Sequence, residues 1–276
     1  MMREAGSASS ISNSGNLNQR AILLGVARYE FRMQIRRRVL WLAYGGFSLL
    51  LFRVAISILN NREEPLSSLS LLQQIASITV QLNWLPVLGI GIFLADRFPR
   101  DRSHKVDELF EAMPGALSAR LSGKYLGCVL ASITPAFLCY ILFMGLMTIY
   151  EHTLLVLPDA LLTYSVLVLP GVLFIAAFSL SLTSILWVPL YQFLFVGYWF
   201  WGNLLGPTAG IPTLSGTILT PIGSYICAGF FGVSPMNWLR GASPFEGAAS
   251  LVVLLLIPML VMLLFYHLLK REQARK

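Results

Sequence analysis

The chain has 276 residues, of which 56% are hydrophobic and 12% charged, with a mean hydropathy of +0.71 and a formal net charge of +7. Charged residues make up about a quarter of an ordinary soluble domain, so this composition excludes a soluble enzyme or binding module and describes an integral membrane protein. The positive balance does not indicate nucleic-acid binding, because the basic residues follow the apolar runs and form no groove-facing patch on a soluble fold.

Residues 1–19, MMREAGSASSISNSGNLNQ, are rich in Ser and Asn and lack the apolar core of a secretory signal, which predicts a disordered cytoplasmic N-terminus and no cleavage. Residues 20–38 place Ile22, Val26, Tyr29 and Met33 on one stripe and Arg28, Arg32 and Arg36 on another. That pattern predicts a basic amphipathic helix lying along the inner membrane surface. The arginines serve equally well as a topology signal.

A spanning helix needs about 20 mostly apolar residues. Six runs follow that rule: 39–59, 75–94, 125–150, 161–186, the short 189–205, and 249–269. They define a permease-like domain over 39–270 with a cytoplasmic tail at 271–276. The apolar stretch 217–231 contains Pro221 and several glycines and is too short to cross, so it predicts a re-entrant segment between spans five and six. A seventh span there would export the basic C-terminus. With six spans, seventeen of the 20 basic residues fall on one side: before span one, between spans two and three, and after span six. Positive residues near span ends are retained in the cytoplasm, which predicts a multi-pass protein of the cell membrane with both termini inside.

Smaller features fit this layout. Gly202 and Gly206 have the small-xxx-small spacing of close helix packing. Tyr198, Trp199 and Trp201 read as an interfacial aromatic belt, and Pro86, Pro135, Pro170 and Pro258 fall inside spans. Cys128, Cys139 and Cys227 show no metal-ligand spacing and read as small packing residues. Arg53 lies inside span one, where an intramembrane charge either snorkels to the interface or lines a cargo path.

The longest polar interruption, Ala95 to Gly127, carries eleven charges between spans two and three. Within it Val106, Leu109, Phe110 and Met113 recur at helical spacing, with Asp107, Glu108 and Glu111 on the opposite face and Pro114-Gly115 as a stop. A short amphipathic helix must bury its stripe on the bilayer, on its own spans or on another protein. The acidic face disfavours anionic lipid, which leaves a protein partner or the chain's own spans.

Catalytic signatures are missing from the sequence. There is no GxxxxGK[ST], since Tyr125 follows Gly123-Lys124, and no HExxH or GxSxG. The three histidines, His104, His152 and His267, fall in three separate places and suggest no metal centre.

Taken together, the residues resemble the membrane subunits of type-2 ATP-binding-cassette (ABC) exporters. Those permeases carry, after span two, charged residues, a Glu-Leu pair, a proline, a serine and a Gly-Lys opening span three. The corresponding residues here are Asp96, Arg100 and Asp101, then Glu108-Leu109, Met113-Pro114, Ser118 and Gly123-Lys124. Lys105-Val106 stands where relatives commonly have Gly-Thr, and the resemblance names no cargo class. It implies an all-α membrane fold of six spans with an N-terminal interfacial helix, a cytoplasmic coupling helix and re-entrant helices between spans five and six. It also implies a function, export powered by separate ATPase subunits; the short outer loops 60–69 and 151–160 leave no room for a large extracellular cargo domain and favour an amphipathic small molecule, lipid or peptide as cargo. The chain would bind no cofactor, with ATP and Mg held by the partners. Residues 106–111 and Met113 would dock the ATPase, and a second membrane subunit, identical or not, would complete the complex. An ion-coupled secondary transporter and a non-transporting scaffold are the competing readings.

Overall fold

The computed structural model describes residues 5–60, 69–103, 116–203, 205–206, 210, 212–235 and 241–275. Among these the regular structure is entirely helical. Helix α1 (Ala5–Ile35) is followed by α2 (Arg38–Asn60), α3 (Leu71–Leu82), α4 (Trp84–Leu94) and the short α5 (Arg97–Ser103). After residues 104–115 come α6 (Leu117–Glu151), α7 (Val156–Thr163), a π-helical turn (Tyr164–Val168), α8 (Leu169–Leu182), α9 (Val188–Asn203), α10 (Ser224–Phe231) and α11 (Pro244–Arg275).

Four helical stretches are long and apolar enough to cross a membrane: Leu71–Arg100, Leu117–Glu151, Val156–Leu182 and Pro244–Arg275. They contain or overlap the expected spans two, three, four and six. The other two expected spans coincide with α2, of 23 residues, and α9, of 16. At ~1.5 Å per residue α9 is about 24 Å long, short of the ~30 Å hydrocarbon core.

Local sequence explains several helix ends. Ser70 and Gln73 form a capping box at the start of α3, the Gln73 amide donating to Ser70 Oγ and the Ser70 amide to Gln73 Oε1. Ser243 and Glu246 do the same for α11: the Ser243 amide donates to Glu246 Oε2 at 2.7 Å and the Glu246 amide to Ser243 Oγ at 3.3 Å. Pro244 then occupies the first helical turn, where a missing N–H costs nothing.

Residues 217–231 form no spanning helix. Their only helix has eight residues, about 12 Å. Their irregular backbone is tied to neighbouring helices. Asn83 Nδ2 donates to the Ile222 carbonyl, Gln73 Nε2 to that of Phe231, and Ser250 Oγ to that of Ile218. A Cβ on Gly171 would lie 1.9 Å from the Pro221 carbonyl oxygen, so only glycine lets α8 approach this closely.

Three expectations change. The N-terminal helix starts at Ala5, not near Arg20, so residues 5–19 continue it where composition suggested disorder. Helix propagation is cheap once a docked turn provides the nucleus. Trp199 is fully buried against Trp84 and Phe195 rather than sitting in an interfacial belt, while Trp201 is partly exposed. Among the described residues of this chain Gly202 makes no close helix approach, since a Cβ there would meet only ordinary contacts, the nearest at 3.5 Å.

Candidate functional site: a charged junction at the base of the loop

The charged interruption leaves the helical bundle through α5 and re-enters through α6, and both roots are buried. Arg97, fully buried, pairs with Glu30, which is 1% exposed. At the other root Lys124, 7% exposed, holds Nζ 4.0 Å from the centre of the Phe98 ring, and Phe98 packs edge-on against Phe265 of α11. A buried charge persists only where a partner compensates its desolvation, and here each root supplies one.

Helix α1 is the third member of this junction. It runs alongside α6 in the same direction: Leu23 and Val26 lie at Gly123, Ala27 and Glu30 at Gly127, and Gln34 Nε2 donates to Ser132 Oγ at 3.2 Å. A Cβ on Gly123 would sit 2.6 Å from the Leu23 carbonyl oxygen, and one on Gly127 2.5 Å from that of Ala27. The backbones therefore touch at two glycines one turn apart, the small-xxx-small geometry. Cys128 Sγ, one residue on, reaches within 3.9 Å of Glu30 Oε2.

This arrangement gives α1 a protein-packed face that its apolar stripe did not mark. The face of α1 that is buried is Ala27, Glu30 and Gln34, not the stripe of Ile22, Val26, Tyr29 and Met33, and Tyr29 is 54% exposed. The helix follows α6 rather than lying flat across it. Arg28, Arg32 and Arg36 are exposed.

A more superficial ion-pair layer surrounds the buried pair. Asp96 Oδ1 accepts from Arg37 at 3.4 Å, and its Oδ2 lies 2.6 Å from Arg100. Burial pulls the Arg37 pKa below its usual value, and the Asp96 carboxylate opposes that pull.

The expected docking stripe and its acidic face, Val106, Asp107, Glu108, Leu109, Phe110, Glu111 and Met113, lie outside the described residues. Arg53 is exposed on α2. Among the described residues no three His, Cys, Asp or Glu side chains gather where they could hold a metal ion. Glu30, Gln34, Arg97 and Ser132 were not legible as a site from hydrophobic periodicity, because their helix face is polar. The usable signal was the Gly123-xxx-Gly127 spacing. The chain matches no family model, and no curated protein matches it.

Proposed function

We propose that this chain is the transmembrane subunit of an ABC exporter of the type-2 class, working with separate cytoplasmic ATPase subunits and a second membrane subunit in the cell membrane. The observation that carries the reading is the anchoring of both loop roots, Arg97 on Glu30 and Lys124 on Phe98, in one packed junction with α1. A loop rooted this way passes a push on its middle directly to α4, α6 and α11. A loop with solvated roots would absorb it.

In this mechanism ATP-driven closure of the partners displaces the 106–113 segment, and the junction moves the inner ends of the spans as a unit. Residues 106–111 and Met113 form the docking surface, the short helix 224–231 closes the outer side, and six spans place both termini inside. The absence of a P-loop from the sequence fits the division of labour between subunits. A photo-crosslinking amino acid at Phe110, activated in native membranes, should yield an adduct with a P-loop ATPase. Adducts confined to the chain's own spans would contradict the reading.

One observation favours an ion-coupled secondary transporter instead: the buried carboxylate of Glu30, the kind of group on which ion coupling is built. Its pairing with Arg97 weakens that alternative, since the carboxylate already has a compensating charge. Transport that survives ATP depletion and collapses with the ion gradient would establish it.

A further inference from the structure

Helix α1 has a second face, turned away from α6. Arg28, Arg32 and Arg36 recur one turn apart along it, and all three are exposed. Among the described residues none of them pairs with an acidic side chain. Glu30, the one acid on α1, is buried on Arg97, and the Asp96 carboxylate is taken by Arg37 and Arg100. A topology signal asks only for basic residues near a span end, in any arrangement. Here three lie on one ridge, held outward because the opposite face, Ala27, Glu30 and Gln34, is packed onto α6.

The level of the ridge along α6 indicates what it meets. No charged residue occurs in α6 between Lys124 and Glu151, and a hydrocarbon core of ~30 Å takes about 20 residues of helix. Counted back from Tyr150, the core ends near Ala131. Gln34 bonds to Ser132 and Glu30 approaches Cys128, a constant offset of 98 residues, which sets Arg32 level with Leu130 at the edge of the core. Arg28 lies one turn outside that edge, in the headgroup layer, which is itself about one helical turn deep. Arg36 lies one turn inside and reaches the edge by snorkelling. Beyond it the surface turns apolar, with Val39 and Leu42 exposed. Trp41, also exposed, donates its indole N–H to the Ile35 carbonyl at 2.7 Å across the α1–α2 joint, a placement that suits the amphipathic ring to a membrane interface.

We propose that this ridge binds an anionic phospholipid, its phosphate held by Arg28 and Arg32 and its acyl chains running past Arg36 over Val39 and Leu42. Guanidinium groups suit phosphate because they present planar, bidentate donors, and clustered cations next to a span attract anionic headgroups. A zwitterionic headgroup brings its own cation to the same place and offsets the attraction. The site needs neither an ATPase nor a cargo, so it stands or falls separately from the exporter reading.

The test is native mass spectrometry of the purified full chain in detergent, titrated with dioleoylphosphatidylglycerol or dioleoylphosphatidylcholine. Tighter retention of the glycerol lipid is expected. Arg32→Gln should weaken it about fivefold, and Arg28→Gln, Arg32→Gln and Arg36→Gln together on the order of a hundredfold, each cation near the surface being worth about fivefold. Lysine at the same three positions keeps the charge and should retain most of the binding. Unchanged elution in size-exclusion chromatography is expected, because the ridge lies off the packed face, and Arg32→Gln alone carries the test if the triple variant fails to fold. The control removes equal charge from the exposed end of α11, by Lys270→Gln, Arg271→Gln and Arg275→Gln, and should weaken retention no more than Arg32→Gln does. Equal retention of the two lipids, equal loss in the two triple variants, or displacement of the bound lipid by millimolar inorganic phosphate would each overturn the proposal.

Discussion

Helix α6 carries two glycines with opposite surroundings. At Gly127 the α1 backbone is so close that a Cβ would fall 2.5 Å from the Ala27 carbonyl oxygen, whereas at Gly145 a Cβ would meet nothing among the described residues within 4 Å. Around the first lie an ion pair, a buried lysine and a glutamine–serine hydrogen bond; around the second lies a cavity with no charged side chain among the described residues that line it. One helix thus joins a tightly specified polar base to a roomy apolar upper half. The difference fits the proposed function, in which the base would move as a unit.

Breaking the base should have the largest effect. Arg97→Leu strands the Glu30 carboxylate and should cost about 3–5 kcal/mol, read as a drop in thermal unfolding temperature in detergent. Combining it with Glu30→Met should recover most of that loss, because replacing both partners by apolar groups is often neutral. A double variant no better than the single one would show that the pair is not the unit holding α1. Gly127→Val should cost about 1–3 kcal/mol by overpacking and should free α1, read as faster proteolysis around residues 19–35.

Effects in the upper half should be smaller. Tyr140→Phe removes the hydroxyl that bridges Thr79 and Thr163 and should cost about 1 kcal/mol. Gly145→Ala sharpens the contrast most, since an added methyl in open space reduces only the freedom of the unfolded chain. It should leave stability unchanged or raise it by about 0.4–1 kcal/mol. A loss as large as that of Gly127→Val would mean the two glycines are not different in kind.

Which features could be read in the sequence follows from what periodicity measures. Apolar runs located the stretches that the structure shows as long helices, because continuous hydrophobicity is what burial in lipid requires. The same criterion passed over the packed face of α1. Its most apolar stripe is not its buried face, and the buried Ala27, Glu30 and Gln34 are small or polar residues that a hydrophobic stripe passes over. The aromatic cluster around Trp199 misled for a related reason: a ring that suits a membrane interface suits a helix crossing equally well. Asn83 and the π-helical turn left no mark in the pattern, because both are set by hydrogen bonds and close contacts from residues far along the chain, Ile222 and Gly223 among them.

The most direct measurement is a mild-detergent pull-down of the tagged full chain from its native membrane, with mass spectrometry of what accompanies it, beside a variant carrying Leu109→Asp and Phe110→Asp. A P-loop ATPase that copurifies with the wild-type chain and is lost from the variant is the expected result. No ATPase with the wild-type chain, or equal recovery with both, would contradict the exporter reading and with it the assignment of the charged interruption as a docking loop.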